Sequence, residues 1–162
     1  MSVQPPGEIF DPYGRLASLG LSLHTRTFRA PWFEGARRSG DLLFTSGQPA
    51  LDERGEPVVR GRLGAEVGIE DGARAARQAM LNTLCIVHQV TGDLRQWRPF
   101  KISIGLATTP EFTAIGEVNN GASLLLVEVF GPHLGKHLRT GHSMVSPPGG
   151  SPVEVEAIFE RR

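Results

Sequence analysis

Few side chains in this 162-residue sequence combine the type and spacing that chemistry needs. There are five histidines and one cysteine. His133 and His137 are four apart, the spacing that puts two ligands on one helical face, and His142 follows. Gly131, Pro132, Gly135 and Gly141 interrupt that stretch, so these three are predicted to be solvated loop histidines. No metal is expected, since a zinc site wants three or four converging ligands. His88 is predicted to sit at the edge of the core. Cys85, between Leu84 and Ile86, is predicted to pack rather than react, because a reactive thiol needs an open electropositive setting. Ser46, in Thr45-Ser46-Gly47-Gln48, lacks the frame of a nucleophile elbow. No Walker loop, GxGxxG, CxxC or HExxH occurs, and no cofactor is expected.

Arg139 and Glu154 remain, fifteen residues apart on two predicted late strands. A turn at Pro147-Pro148-Gly149-Gly150 would make those strands neighbours and bring the pair together. An arginine so placed grips a carboxylate bidentately, and a nearby glutamate orients or deprotonates water. The same two residues also suit a cross-strand surface ion pair worth under about 1 kcal/mol. The residues alone leave both readings open.

The elements that must position them follow from periodicity. A loose lead-in with three prolines covers residues 1–12, and a short helix over 13–19 ends at Gly20. Whether this part docks on the core is not decided by the sequence. Strands over 32–36 and 42–48 flank a predicted hairpin turn at Arg37-Arg38-Ser39-Gly40. Asp52-Glu53-Arg54-Gly55 reads as a turn and Val58-Val59 as a short strand. The strongest helix spans 70–90, with Glu70 and Asp71 at its positive end, a stripe of Ala73, Ala76, Met80, Leu84 and Val87, and Gly92 as its cap. Phe100, Ile102, Ile104 and Leu106 alternate as one face of a strand stopped by Pro110. A second helix over 117–130 carries Val118, Ala122, Leu125, Leu126 and Val129 and ends at Gly131. Strands follow over 139–145 and 152–160, the last with Val153, Val155, Ala157 and Phe159 on one face. The sum is an α+β chain: one mixed sheet with two helices on one face. The other face is expected to meet another subunit.

Composition narrows the partners. Lys+Arg 17 against Asp+Glu 17 gives no net charge, so a nucleic-acid partner, which needs a basic excess, is not expected. No apolar run approaches the ~20 residues of a membrane helix, and the N-terminus does not read as a signal peptide. A lone cysteine makes no internal disulfide, which suggests a reducing, cytoplasmic setting.

Three segments resemble the Rid family, also called the YjgF family, of enamine/imine deaminases. They are Gly40-Asp41-Leu42-Leu43-Phe44-Thr45-Ser46-Gly47-Gln48, then Val118-Asn119-Asn120-Gly121-Ala122-Ser123 with Val127-Glu128-Val129-Phe130-Gly131, and finally Gly135-Lys136-His137-Leu138-Arg139 with Pro152-Val153-Glu154-Val155-Glu156-Ala157. The second segment resembles a longer-chain subgroup. The likeness divides the chain into an N-terminal extension, residues 1–30, and a Rid/YjgF-like domain, residues 31–162. It implies a chorismate-mutase-like fold and a homotrimer with clefts between subunits. It implies hydrolysis of small 2-imino or enamine acids to 2-keto acids and ammonia without a cofactor. By that resemblance Arg139 holds the substrate carboxylate and Glu154 positions water. Ser46, Gly47, Trp32, Phe33, Asn119 and Gly141 line the substrate site. Trp32 or Phe33 stands where such deaminases often carry a tyrosine, and Gly141 where a cysteine often follows the arginine. Binding of small carboxylates without turnover is the alternative in the same cleft. An endoribonuclease label, which the family also carries, fits the neutral charge poorly.

Overall fold

A computed structural model describes residues 10–27, 30–146 and 148–162. Most of the predicted lead-in, and Pro147 of the predicted late turn, lie outside the described residues. Among those described, three α-helices and six strands occur in the order α1 (Pro12–Ser18), β1 (Ala36–Ser39), β2 (Leu42–Thr45), β3 (Gln48–Pro49), α2 (Ile69–Thr91), β4 (Trp97–Ala107), α3 (Ile115–Leu134), β5 (Leu138–Met144) and β6 (Val153–Arg161). The strands form one mixed sheet ordered β1-β2-β6-β4-β5, with β3 also paired to β6. β4 and β5 are parallel and joined through α3; the other pairs are antiparallel.

Helices α2 and α3 cover one face of the sheet and pack on each other. On β6, Val153, Val155, Ala157 and Phe159 face that layer and are buried. Burying one such large aliphatic or aromatic side chain stabilises by about 1.5–3 kcal/mol. The layer contact therefore outweighs any single surface ion pair. α2 is buried further round than its predicted stripe, because it is enclosed by the sheet below and by α3 and the N-terminal segment above. Ala75, Ala79 and Ile86 are as inaccessible as Met80 and Leu84, and Leu81 is also buried. Gly92 caps α2 with φ 76°, the left-handed conformation its position demands. At the crossing of α2 and α3, a Cβ on Gly121 would collide with the Ala73 carbonyl, so only glycine allows this approach.

α1 docks on α3, and the segment from Phe10 onwards is fastened to the rest of the chain. Leu16 lies in the core. The Tyr13 hydroxyl accepts from the Leu94 backbone N–H at 2.8 Å and lies 3.0 Å from His88 Nδ1. Phe10 packs 6.0 Å from Phe130, and the Arg162 guanidinium lies 4.2 Å above the Phe10 ring.

Three sequence expectations are displaced. The first strand runs over Ala36–Ser39 rather than 32–36, and the hairpin turn is Gly40-Asp41. Gly40, with φ 59°, takes the first central position of that two-residue turn, which leaves the arginines free to join an edge strand. Val58-Val59 is not a strand. Leu51 and Pro57 form one isolated bridge, and Pro57 has no N–H with which to extend it. Phe100 does not face the core: a bulge between Pro99 and Lys101 turns it outward, while Trp97 and Pro99 point inward.

The helix-free face carries Phe44, Lys101, Ser103, Gly105, His142, Glu154, Glu156 and Ile158. Phe44 is 43% exposed and Leu138, on the edge strand, 60%.

Candidate functional site

Arg139 stands on β5, at one edge of the sheet. It pairs in register with Ile102, whose side chain is buried under the helices, so Arg139 belongs to the helical side. Its Nη1 donates to Asn120 Oδ1 at 2.9 Å and to Ser123 Oγ at 3.0 Å, both on α3. These two acceptors are one helical turn apart, so a single guanidinium nitrogen reaches both. Among the described residues no carboxylate pairs with Arg139, and its Nε and Nη2 donate to nothing. A guanidinium held by neutral groups, with two donors free, has the geometry to take a carboxylate in two parallel bonds.

Gly141, two residues on, faces the same way. A Cβ there would collide with Asn119 Nδ2. Asn119 is 2% exposed, and its Oδ1 has no partner among the described residues. Sequence reasoning missed three members of this cluster, Asn120, Ser123 and His137. Ser123 Oγ lies 3.0 Å from His137 Nε2, and His137 Nδ1 lies 2.7 Å from the Gly135 carbonyl. His137 is therefore no solvated loop residue: it is half-buried between α3 and β5, and burial lowers its pKa from the ordinary 6.5. The signal was available, since Asn120 and Ser123 form a polar pair three apart on a helix whose apolar stripe lies elsewhere.

Glu154 lies on the other side of the sheet. It pairs with Gly105, which in turn pairs with His142, and these positions share the helix-free face. The chain between β2 and β3 breaks its pairing with β6 at Ser46-Gly47, and Glu154 lies over that gap. A Cβ on Gly47 would collide with its carboxylate. Burial raises the Glu154 pKa, the nearby Glu156 raises it further, and His142 opposes the shift. Ser46 is fixed by its hydroxyl, which donates to the Glu34 carbonyl at 2.6 Å, and by its N–H, which donates to the Gly35 carbonyl. With Trp32, Phe33 and Phe44 it lines a groove of about 360 Å³.

The expected meeting of Arg139 and Glu154 does not occur within one chain. β4 runs between β5 and β6, so their strands are not neighbours. Arg139 lies across from Ile102 and Ala157, three residues from Glu154 along β6, and on the opposite face. Spacings of ~4.8 Å per strand and ~3.3 Å per residue put the two backbones about 14 Å apart. The candidate residues fall into three groups: Arg139, Asn119 and Gly141 at one edge; Glu154 and Gly47 in the middle of the open face; Ser46, Trp32 and Phe33 near the other edge.

No protein-family model matches the chain. Protein TCP17 of Trypanosoma cruzi is 33% identical over 161 residues, spanning 99% of this chain and 98% of that protein. The crystal structure of Atu1372 from Agrobacterium tumefaciens, a protein of unknown function, is 35% identical with a TM-score of 0.84, covering 93% of both chains. A proposed endoribonuclease from Shewanella oneidensis is 28% identical with a TM-score of 0.87, covering 93% of this chain and 99% of that one. The YjgF gene product of Escherichia coli shares the fold, with a TM-score of 0.58 at 21% identity over 82% of this chain and 90% of that one. The chain belongs to one family with TCP17, and it shares its fold with the YjgF gene product. Its α+β fold, one mixed sheet backed by helices, is the YjgF-like fold, and the segments that carried the sequence resemblance are β2 with its following gap, α3, and the two closing strands. Among the described residues, no three His, Cys, Asp or Glu side chains converge to hold a metal, and no helix is long and apolar enough to cross a membrane.

Proposed function

We propose that the chain hydrolyses small 2-imino or enamine carboxylic acids to 2-keto acids and ammonia, in a cleft between subunits of a cytoplasmic homotrimer. The observation that carries this reading is Arg139: an exposed guanidinium pinned at one nitrogen by Asn120 and Ser123, with no acidic partner among the described residues. Its free Nε and Nη2 match a carboxylate in two parallel bonds. The separation of the three groups of site residues supports a cleft shared between copies, because in one copy they are too far apart to touch one small acid. Phe44, Ile158 and Leu138 supply apolar area for such a contact.

The chemistry then needs little. With the carboxylate on Arg139, the imine carbon is presented in one orientation. A water held by Glu154 adds to that carbon: a C–O bond forms, the C=N π pair goes to nitrogen, and nitrogen gains a proton. Glu154, its pKa raised by burial, takes the proton that water loses and returns one to nitrogen. The hydroxyl of the resulting carbinolamine gives its remaining proton through Glu154 to nitrogen, the C–N bond breaks as the oxygen lone pair forms the carbonyl, and ammonia leaves. Backbone N–H groups at Gly47 or Gly141 face the developing charge. Asn119, Trp32, Phe33 and Ser46 shape the cleft. No cofactor, nucleic acid or membrane takes part.

A second reading has its own observation. Arg139 and Glu154 of one chain are separated by a strand, which suits carboxylate binding without turnover. The test is ammonia release from 2-iminobutyrate and 2-iminopropionate formed in situ. Acceleration over buffer that vanishes in Arg139→Ala, with the trimer intact by light scattering, supports hydrolysis. Saturable binding of 2-keto acids with no acceleration selects the binding module. RNA cleavage that an Arg139→Ala variant retains belongs to neither.

A further inference from the structure

The Arg139 cluster continues one step beyond the groups that touch a ligand. Its proton positions follow from which atoms can only donate or only accept. The Gly135 carbonyl only accepts, so His137 Nδ1, 2.7 Å away, carries a hydrogen. Arg139 Nη1 only donates, so Ser123 Oγ accepts from it at 3.0 Å. The Ser123 hydrogen then points at His137 Nε2, 3.0 Å away, which in the neutral ring holds a lone pair. The chain runs in one direction: Arg139 to Ser123 to His137 to the Gly135 backbone. From β5 the charge acting on His137 is Arg139; from α3 it meets the Ser123 hydroxyl, and no other charged group among the described residues acts on it.

We infer that His137 is a positioning residue for Arg139, acting through Ser123 to fix the guanidinium so that Nε and Nη2 face a carboxylate ligand. Neutral His137 takes the Ser123 hydrogen and turns the hydroxyl lone pair toward Nη1. Protonated His137 donates to Ser123 instead, so the Ser123 oxygen must accept from two cations at once and its hydrogen rotates away from His137. The neighbouring cations also repel, and the guanidinium loses its fixed orientation. Burial favours the neutral ring, which keeps the relay in place at neutral pH.

The inference rests on Arg139 as the carboxylate anchor, and its test separates the two. Uptake of 2-ketobutyrate is measured by calorimetry at pH 7.5 on the full chain, with thermal unfolding of each variant as a folding control. Ser123→Ala and His137→Leu are expected to weaken binding about 3- to 10-fold, the effect of one lost hydrogen bond. His137→Gln, whose side-chain carbonyl can accept the Ser123 hydrogen, is expected to stay within about twofold of the native chain. A merely structural histidine would show no such rescue.

A ligand-free arm decides the relay by itself. In NMR, the Arg139 Nε–H resonance is expected to titrate with the midpoint of the His137 ring, and to stop doing so in Ser123→Ala. An Arg139 resonance indifferent to His137 titration overturns the inference, as does native affinity in Ser123→Ala. A native chain that takes up no 2-keto acid overturns the carboxylate reading alone, and the NMR arm still decides the relay.

Discussion

The two halves of the candidate site are built on opposite principles. At the β5 edge, Arg139 is exposed but tied: neutral side chains of α3 hold one nitrogen and leave two donors for a ligand. On the open face, Glu154 is half-buried and has no cation bonded to it among the described residues; it is crowded by Gly47 and Glu156, which favours its protonated form. The first arrangement suits holding an anion in place. The second suits passing a proton, since burial raises the carboxyl group above the ordinary carboxylate range and makes it a stronger base. On the proposed function one half binds and the other moves a proton, and β4 separates them within each copy.

The sharpest way to break this contrast is to remove each half in turn. Arg139→Ala is expected to lower kcat/KM about 10²–10³-fold through the loss of two charge-assisted hydrogen bonds, and to abolish 2-ketobutyrate binding. Glu154→Gln is expected to lower kcat about 10²-fold while leaving 2-ketobutyrate affinity within about twofold of the native value. Equal losses of affinity in both variants would erase the division of labour.

The same substitution at two glycines sharpens it further. Gly141→Ala drives a methyl group into the short, buried Asn119 side chain and against Ile115, neither of which can retreat. It is expected to cost about 1–3 kcal/mol in denaturant unfolding. Gly47→Ala meets the flexible end of Glu154, which can swing away. Its stability loss is expected to stay below about 1 kcal/mol, with the damage showing in kcat instead. A stability loss at Gly47 as large as that at Gly141 would contradict the mobility assigned to Glu154.

How much of this was legible in the sequence depends on how local the cause is. The extents of α2 and β6, the Gly92 cap and the break of α3 at Gly131 follow from nearest-neighbour periodicity and glycine conformations, and they were readable. The separation of Arg139 from Glu154 was not read from a turn signal, because strand order is a long-range property. A signal for it did exist: strand, helix and strand in succession require a crossover, which puts β5 beside β4 in parallel and leaves β6 to pair elsewhere. The shift of β1 toward Gly40 came from a two-residue turn competing with a four-residue one. The burial of His137 was hidden because Gly135 and Pro132 read as loop, although the helix end folds that loop against β5.

The smallest expected effects are on stability against pH, and they have opposite signs in the two regions. Glu154 has a raised pKa, so the folded state binds its proton more tightly than the unfolded state does. Its favourable contribution is present in acid and is lost as pH rises through the folded value. His137 has a lowered pKa, so the unfolded state binds its proton more tightly, and stability falls as pH drops below the ordinary 6.5. Thermal midpoints between pH 4.5 and 8.5 should show Glu154→Gln gaining on the native chain toward alkaline pH and His137→Gln gaining toward acid pH. Parallel curves for both would mean that neither group is held in the environment described.

The central claim is that Arg139 presents an unpaired guanidinium to a small carboxylate at a seam between copies of the chain. A crystal structure with 2-ketobutyrate bound tests it most directly. The account predicts the carboxylate on Nε and Nη2 of Arg139, the keto carbon facing a Glu154 carboxyl group, and residues of a second copy closing the cleft. A ligand bound away from Arg139, or a chain that crystallises and sediments as a monomer with its open sheet face in solvent, would contradict it.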